Sequence, residues 1–494
     1  MEKIQYLVLI NEGVRQCLNG LEINYNRDRT EIPDKKDIRY LEYIVQQFLH
    51  SKKRLDMITG ERYYLGQHDI LWAKREVIGE GGRLETVDNL PNNKRVDNQY
   101  EKLVDQKVNY LLGKPITFKT ENTLYQEQLE KIFDLEFQKI FKNVAEDAMN
   151  GGIAWLYPYY NESGDFLFKR FEPCQILPIW KDEGHTELDF AIRIYTVQRW
   201  TGSMLEDVEV VDVYSLAGID RYKYSWGSLK YEGHYNYFNI GEEQFNWDRL
   251  PIIPFKYNLL EKPLILRVKN LQDGINKAVS NFENNLDENP RNCILILKNY
   301  DGQNLGEFRK NLSTFGAVKV RDDGGVEKLT VELNSENYKD IIKIFKDALI
   351  ENGRGFNAKD DRLGNNPNEM NIQSMYADID LDASGMEVEF RSGLNKLLNF
   401  VNAHISHLGL GDFENENIEI IFNKDILVNE SQTIDNCAKS IGIISDETII
   451  SMHPWVKNTL EEIKKIKKQK EEETEEYNGA FKNRNGSGGI DEEE

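Results

Sequence analysis

Three acidic residues alternate with apolar ones in Asp378-Ile-Asp-Leu-Asp382, and Glu389 stands twelfth counting from Asp378. Calcium loops of the EF-hand type use that rhythm, with ligands at alternate positions and a bidentate Glu at the twelfth. Two details oppose it. The sixth position, where the loop needs Gly, is Ala383. An apolar stripe also runs unbroken through the segment at helical spacing, which predicts that these acids lie on the exposed face of a helix. His404 and His407 are three apart on the same stretch and could reach one metal, but no third ligand stands nearby, and surface or core histidines are the simpler reading. Gly79-Glu-Gly-Gly82 lacks the GK[ST] ending of a phosphate loop, and no HExxH, GxSxG or kinase signature is present. The expectation is no catalytic residue, no metal and no cofactor. A metal-dependent nucleic-acid-processing enzyme using Asp378, Asp380 and Asp382 is the enzymatic alternative.

Positive charge meets expected mobility at one place. Gly353–Asn371 carries Gly353, Gly355, Gly364, Asn365, Asn366 and Pro367, which predicts a mobile loop, and it bears Arg354, Lys359 and Arg362.

The elements around that loop are long. Leu264, Val268, Leu271, Ile275, Ala278, Phe282 and Leu286 recur at steps of three and four, with Pro263 at the first helical position and Pro290 closing the run. Asn270, Lys277, Ser280, Asn281 and Asn284 form its mixed, amide-rich polar face. A second stripe holds Tyr338, Ile341, Ile342, Phe345 and Leu349. Strand-like runs, Cys293–Leu297 and Phe315–Val320, lie between the two. A helical pair with a β knob at its far end needs neighbouring copies to cover its apolar stripes, so the chain reads as one stave of an assembly.

Elsewhere, Asp34–Leu71 reads as helical with a turn near Thr59–Gly60. Helices are expected over Asn98–Leu112 and Glu127–Asn150, with Gly113 and Pro115 ending the first. Ile153–Tyr160, Phe166–Phe171, Phe190–Val197, Glu209–Ser215, Tyr222–Tyr224 and Ile252–Tyr257 alternate like strands of an antiparallel sheet. A third stripe runs from Ile372 to Leu408, with Gly385 and Gly393 as candidate kinks. A strand at Ile418–Phe422 and helices over Ser431–Ile443 and Val456–Gln469 follow. The fold class is α+β.

The 494 residues suffice for two to four domains. No apolar run reaches the length of a membrane helix, no cleavable leader is evident, and Cys17, Cys174, Cys293 and Cys437 form no CxxC pair, which favours a reduced intracellular setting. Net charge is −22, of which Glu471–Glu494, with nine acids against two bases, supplies −7. That tail reads as disordered. A protein that grips nucleic acid tightly carries a basic balance. This one either does not meet DNA or meets it without holding it.

Four segments carry a resemblance: Tyr63-Tyr-Leu-Gly-Gln-His-Asp-Ile70, Asn89-Leu-Pro-Asn-Asn93, the run Tyr100–Thr117 (YEKLVDQKVNYLLGKPIT), and Ile444–Val456 (ISDETIISMHPWV). Together they resemble the portal proteins of tailed bacteriophages, in the family typified by the SPP1 portal. The order of elements agrees from about Asp34 to Gln469.

The resemblance implies a non-enzymatic ring, usually of twelve subunits, at one vertex of the phage head, through which double-stranded DNA is packaged and ejected. It implies a mixed α/β wing over residues 1–260, a stem from helices at 261–288 and 334–352, and a β-containing clip at 289–333. It further implies a tunnel loop within 353–371, a wing return at 372–428 and a helical crown at 429–469. Implied partners are the terminase large subunit, the head-tail adaptor, scaffold and major capsid protein, with assembly in the host cytoplasm and no membrane. Arg354, Lys359 and Arg362 would touch phosphates transiently, and Asn270, Lys277, Ser280, Asn281 and Asn284 would face the channel. Leu264, Val268, Leu271, Ile275, Phe282, Ile341 and Phe345 would pack the stem. A head shell or adaptor protein is the structural alternative.

Overall fold

A computed structural model of the chain describes residues 37–78, 82–88, 90–240, 243–288, 294–300, 320–329, 335–357, 369–424, 430–456 and 461–470, with isolated residues between. It is a mixed α/β protein whose named strand ladders are all antiparallel.

Its first described elements are two short helices, α1 (Ile38–Leu49) and α2 (Lys52–Tyr64). The break falls at Ser51, whose hydroxyl accepts the Arg54 N–H at 3.2 Å, and not at the expected Thr59–Gly60. Gly60 lies inside α2 because the Asn150 carbonyl packs against it; a Cβ there would come within 2.0 Å of that oxygen. The short paired strands β1 (Glu76–Ile78) and β2 (Leu84–Thr86) come next. Helix α3 (Gln99–Leu112) is capped by Asn98, which accepts the Glu101 N–H at 3.1 Å and donates back to the Glu101 carboxylate at 2.9 Å. Strand β3 (Thr117–Lys119) follows it. The expected helix over 127–150 is two, α4 (Thr123–Ile132) and α5 (Leu135–Gly151), because Asp134 caps the second by accepting the Phe137 N–H at 2.9 Å.

The strand-rich stretch forms two larger sheets. One has β4 (Ile153–Tyr160) between β5 (Phe166–Phe171) and β13 (Ile253–Lys256). The other is five-stranded, running from β6 (Ile176–Trp180) through β7 (Leu188–Trp200), β8 (Leu205–Ser215) and β9 (Gly218–Ser225) to β10 (Ser228–Tyr235). A small pair, β11 (Phe238–Ile240) and β12 (Glu243–Phe245), lies between β10 and β13 in the chain. Helix α1 covers the five-stranded sheet with Leu41, Ile44, Val45 and Phe48. The larger core gathers α3, α5 and β4 around the buried Tyr100, Phe141 and Trp155.

The long helix α6 (Ile265–Glu288) follows. The hairpin strands β14 (Ile294–Tyr300) and β15 (Val320–Leu329) separate it from α7 (Ser335–Asn352). The second strand thus begins where the expected Phe315–Val320 run ends; residues 315–319 lie outside the described residues. Helix α8 (Glu369–His407) is one element of 39 residues running through both Gly385 and Gly393. Gly393 is where Phe255 of β13 presses on it; a Cβ there would meet that ring at 2.6 Å. Strand β16 (Glu419–Ile421) pairs with β3, and α9 (Glu430–Lys439) and α10 (Asp446–Met452) close the chain's named elements.

Candidate functional site

Helix α6 is the element on which the rest converges. Its polar residues Gln272, Asn276, Ser280 and Asn284 recur every fourth position, so they form one line along the helix. All four are buried. Each accepts backbone N–H groups from the extended segment that precedes α3 or, for Gln272, from the first turn of α3 itself. Asn284 Oδ1 takes Asn93 N–H at 2.6 Å, Ser280 Oγ takes Arg95 at 2.9 Å, and Asn276 Oδ1 takes Asp97 at 2.9 Å. Gln272 Oε1 takes both Gln99 and Tyr100 at 3.0 Å. Two residues of extended chain rise ~6.6 Å and four helical residues ~6 Å, so the alternate amides of the segment stay in step with the helix. Among the described residues no strand pairs with the segment to take those donors, and the helix supplies what a strand would.

The corner after α2 grips the same helix. His68 is fully buried, stacked on Tyr63 with ring centroids 4.4 Å apart. Its Nε2 lies 2.9 Å from the Tyr63 carbonyl and its Nδ1 2.7 Å from the Asn276 amide nitrogen. Burial lowers the His68 pKa, which keeps the ring neutral. The Tyr63 hydroxyl donates to Asp273 at 2.5 Å, and Lys269 bridges Asp273 and Asp69 at 2.7 and 2.6 Å.

Two carboxylates clamp the start of α6. Glu261, nearly buried, meets Lys53 at 2.5 Å, His185 at 2.6 Å and Lys256 at 3.2 Å. Asp382, on α8, receives Lys107 of α3 at 2.7 Å, Arg267 of α6 at 2.9 Å, Arg354 at 3.5 Å and the Tyr257 hydroxyl. Burial raises the Asp382 pKa, but Lys107, Tyr257 and Arg267 outweigh it and hold the group below its ordinary value. Lys107 moves down to about 8, first because it is buried and then because Arg267 and Arg354 repel it, against the pull of Asp382. Among the described residues the cluster is short of negative charge.

The exit of α7 is pinned beside this cluster. Lys107 Nζ donates to the Arg354 carbonyl at 3.0 Å, and Gln106 Nε2 to the Phe356 carbonyl at 3.0 Å. Gly353 and Gly355 lie against Leu103, where a Cβ would come within 2.4 and 2.5 Å of its methyls.

These contacts redistribute the expected site residues. Ser280 and Asn284 are turned inward onto Arg95 and Asn93, so they leave the expected channel face; Asn270 and Lys277 are exposed and Asn281 half-buried. Arg354 is not a free loop cation but a partner of Asp382, while Lys359 and Arg362 lie outside the described residues. Leu264, Val268 and Ile275 are buried in the core, with Leu271 and Phe345 packed against it. Phe282 meets Tyr338 with ring centroids 5.1 Å apart. From Leu264 to Phe282 the α6 stripe is therefore covered within the chain and does not wait for a neighbour, whereas Leu286 at its end is 48% exposed. Ile341 is also open, 43% exposed beside Ile344 at 60%, because α6 covers the Phe345 side of α7.

Asp382 likewise leaves the exposed face expected for it, since it falls three residues after the buried Ile379. Asp380 bonds Tyr110 at 2.9 Å and Lys424 at 2.8 Å. His404 bonds the Tyr160 hydroxyl at 3.0 Å and stacks on Phe166. Among the described residues no group of three or more His, Cys, Asp or Glu could hold a metal, and no helix is long and apolar enough to cross a membrane.

Sequence reasoning missed the buried amides and the Asp382 cluster. A signal for the amides existed. Gln272, Asn276, Ser280 and Asn284 are uncharged, whereas the other faces of α6 carry Arg267, Lys269, Asp273, Lys277, Glu283 and Asp287.

Comparison with known proteins gives the family. The portal protein of Bacillus phage SPP1 is 27% identical over 449 residues, covering 88% of this chain and 86% of that one. The portal protein of Clostridium phage phiCD119 is also 27% identical, over 441 residues, 84% of this chain and 92% of that one. A solved structure, the neck of an empty GTA particle computed with C6 symmetry, aligns at 11% identity with a TM-score of 0.39, covering 81% of this chain and 94% of that one. The family model for phage portal proteins, SPP1 Gp6-like, matches residues 41–476, nearly the whole described body including α6 and both segments that grip it, and the chain belongs to that family.

Proposed function

We propose that this chain is the subunit of a closed ring at the portal vertex of a tailed-phage head, usually of twelve copies, whose channel passes double-stranded DNA inward at packaging and outward at ejection. The observation that carries the reading is the match to the portal family across residues 41–476. In this arrangement α6 and α7 are the stem, β14–β15 the clip, the two larger sheets with α1–α5 and α8 the wing, and residues 429–469 the crown. Exposed Ile341 and Ile344 support it, since α7 keeps an apolar edge that a neighbouring copy would cover. A net charge of −22 suits a conduit that does not retain DNA.

The chain's role is structural, and the clip docks the terminase large subunit and later the head-tail adaptor. Scaffold and major capsid protein meet the ring during assembly in the host cytoplasm, before it becomes part of the virion. Asn270, Lys277 and Asn281, with the cations Arg354, Lys359 and Arg362, are the residues assigned to DNA contact in this reading. Electron microscopy and native mass measurement of the purified protein test the reading. Rings with a central channel are expected; a monomer under every assembly condition would overturn it.

A further inference from the structure

Arg267 and Arg354 come from different elements yet reach the same carboxylate oxygen. Asp382 Oδ1 lies 2.9 Å from Arg267 Nη1 and 3.5 Å from Arg354 Nη1, while Lys107 Nζ takes Oδ2 at 2.7 Å. Tyr257 also donates to Oδ2 and adds no charge of its own. Among the described residues three cations thus share one anion, and two positive charges go unmatched. Lys107 is shut inside, with 2% of its side chain exposed, whereas Arg267 and Arg354 keep 33% and 45% in solvent. The excess charge therefore reaches the surface at the two guanidinium groups.

Both groups are held in place. Arg267 sits in the first turn of α6, where the helix dipole is already positive and a cation is disfavoured unless an anion joins it. Arg354 has a φ of 52°, in the left-handed region, fixed by the Lys107 bond to its carbonyl and by the packing of Gly353 and Gly355 on Leu103. Each guanidinium spends one nitrogen on Asp382 and has five N–H donors in a planar fork suited to phosphate oxygens.

We infer that Arg267 and Arg354 form a phosphate-binding fork, backed by Lys107 and Asp382, and that its ligand is a phosphodiester group of double-stranded DNA. The DNA assignment rests on the conduit reading above; the fork itself rests on the geometry of the cluster. Arg267 is a residue that the loop alone would not have nominated, because it lies 87 positions before Arg354 in sequence.

Full-length protein titrated with inorganic pyrophosphate by calorimetry tests the fork. Wild type binds, and Arg267→Gln with Arg354→Gln weakens binding roughly tenfold or more, in line with the loss of charge-assisted bonds. Because the first readout is wild type, silence there overturns the fork whatever the variants' folding. Anisotropy with a labelled mixed-sequence duplex across a salt series tests the source of the phosphate. The double variant should bind all sequences more weakly, with a slope of log affinity against log salt shallower by about 0.9 for each phosphate it no longer neutralises. Arg→Lys at both positions, which keeps charge and loses the fork, should fall between. Pyrophosphate binding abolished in the variants with duplex affinity and slope unchanged would overturn the DNA assignment. Micrographs of the same samples separate the two readings: rings that bind no pyrophosphate sink the fork alone, and absent rings count against the conduit.

Discussion

Asn276 fixes the tautomer of His68. Its amide nitrogen donates to His68 Nδ1 at 2.7 Å, so the ring proton resides on Nε2 and donates to the Tyr63 carbonyl at 2.9 Å. The Asn276 oxygen meanwhile accepts the Asp97 N–H at 2.9 Å. One side chain on α6 therefore satisfies buried groups from two separate segments. Asn276→Leu would strand both, at about 1–3 kcal/mol for each unsatisfied group. Denaturant unfolding should show the loss, and a change within about ±0.5 kcal/mol, the range of ordinary surface substitutions, would refute the arrangement.

Neighbouring positions on α6 should behave oppositely. Ser280→Ala removes the acceptor for the Arg95 N–H and is expected to cost about 1 kcal/mol or more, while Lys277→Ala, exposed, should be close to neutral. Equal effects at the two sites would mean that Ser280 faces solvent after all.

Among the described residues, Asp382 is the carboxylate that pairs with Lys107, Arg267 and Arg354 together. Asp382→Asn should destabilise by about 3–5 kcal/mol, because it leaves Lys107 buried without its counter-charge. Lys107→Met with Asp382→Leu should recover much of that loss. A double-mutant cycle with no coupling would show that the two residues do not act as a pair.

Asp147 gives a pH prediction. Burial, with Glu146 and Glu172 beside it, lifts its pKa from 3.8 to about 6 despite the Arg170 guanidinium 2.7 Å away. The folded chain then binds more protons than the unfolded one between those values, so this group's stabilisation is full below about pH 4 and is lost as pH rises through about 6. Asp147→Asn should flatten that part of the stability curve. An unchanged slope between about pH 4 and 6 would be evidence against the raised value.

Ile341 and Ile344 test the ring without touching the core. Changing both to Asp should leave the melting of the subunit unaltered, since both are exposed, but should abolish or shrink the assembled ring seen by native mass measurement. Intact rings would move the contact elsewhere.

Much of the fold could be read from periodicity. Ile153–Tyr160 and Phe166–Phe171 fall on β4 and β5 residue for residue, and the stripes from Leu264, Tyr338 and Ile372 are α6, α7 and α8. The functional geometry could not. A polar stripe on a helix looks solvated until its partner is known, and the partners of Ser280 and Asn284 lie 185 and 191 residues away. Asp382 departs from expectation for a different reason: the apolar stripe at helical spacing assigns all three acids to the exposed face, whereas Asp382 itself falls beside Ile379, Ala383 and Met386. Gly60 failed as a turn signal because its small size serves a close approach between helices.

The line of acceptors on α6 also has a mechanical side. Its repeat is ~6 Å, one bond for every four helical residues. An axial shift of the helix by half that distance would put all of its acceptors out of step with residues 93–100 at once. Such a contact resists small slippage as a whole and yields only by releasing every bond together or by jumping a full repeat. Load applied along α6 would accordingly reach α3 and the body behind it as a step, not as a graded strain.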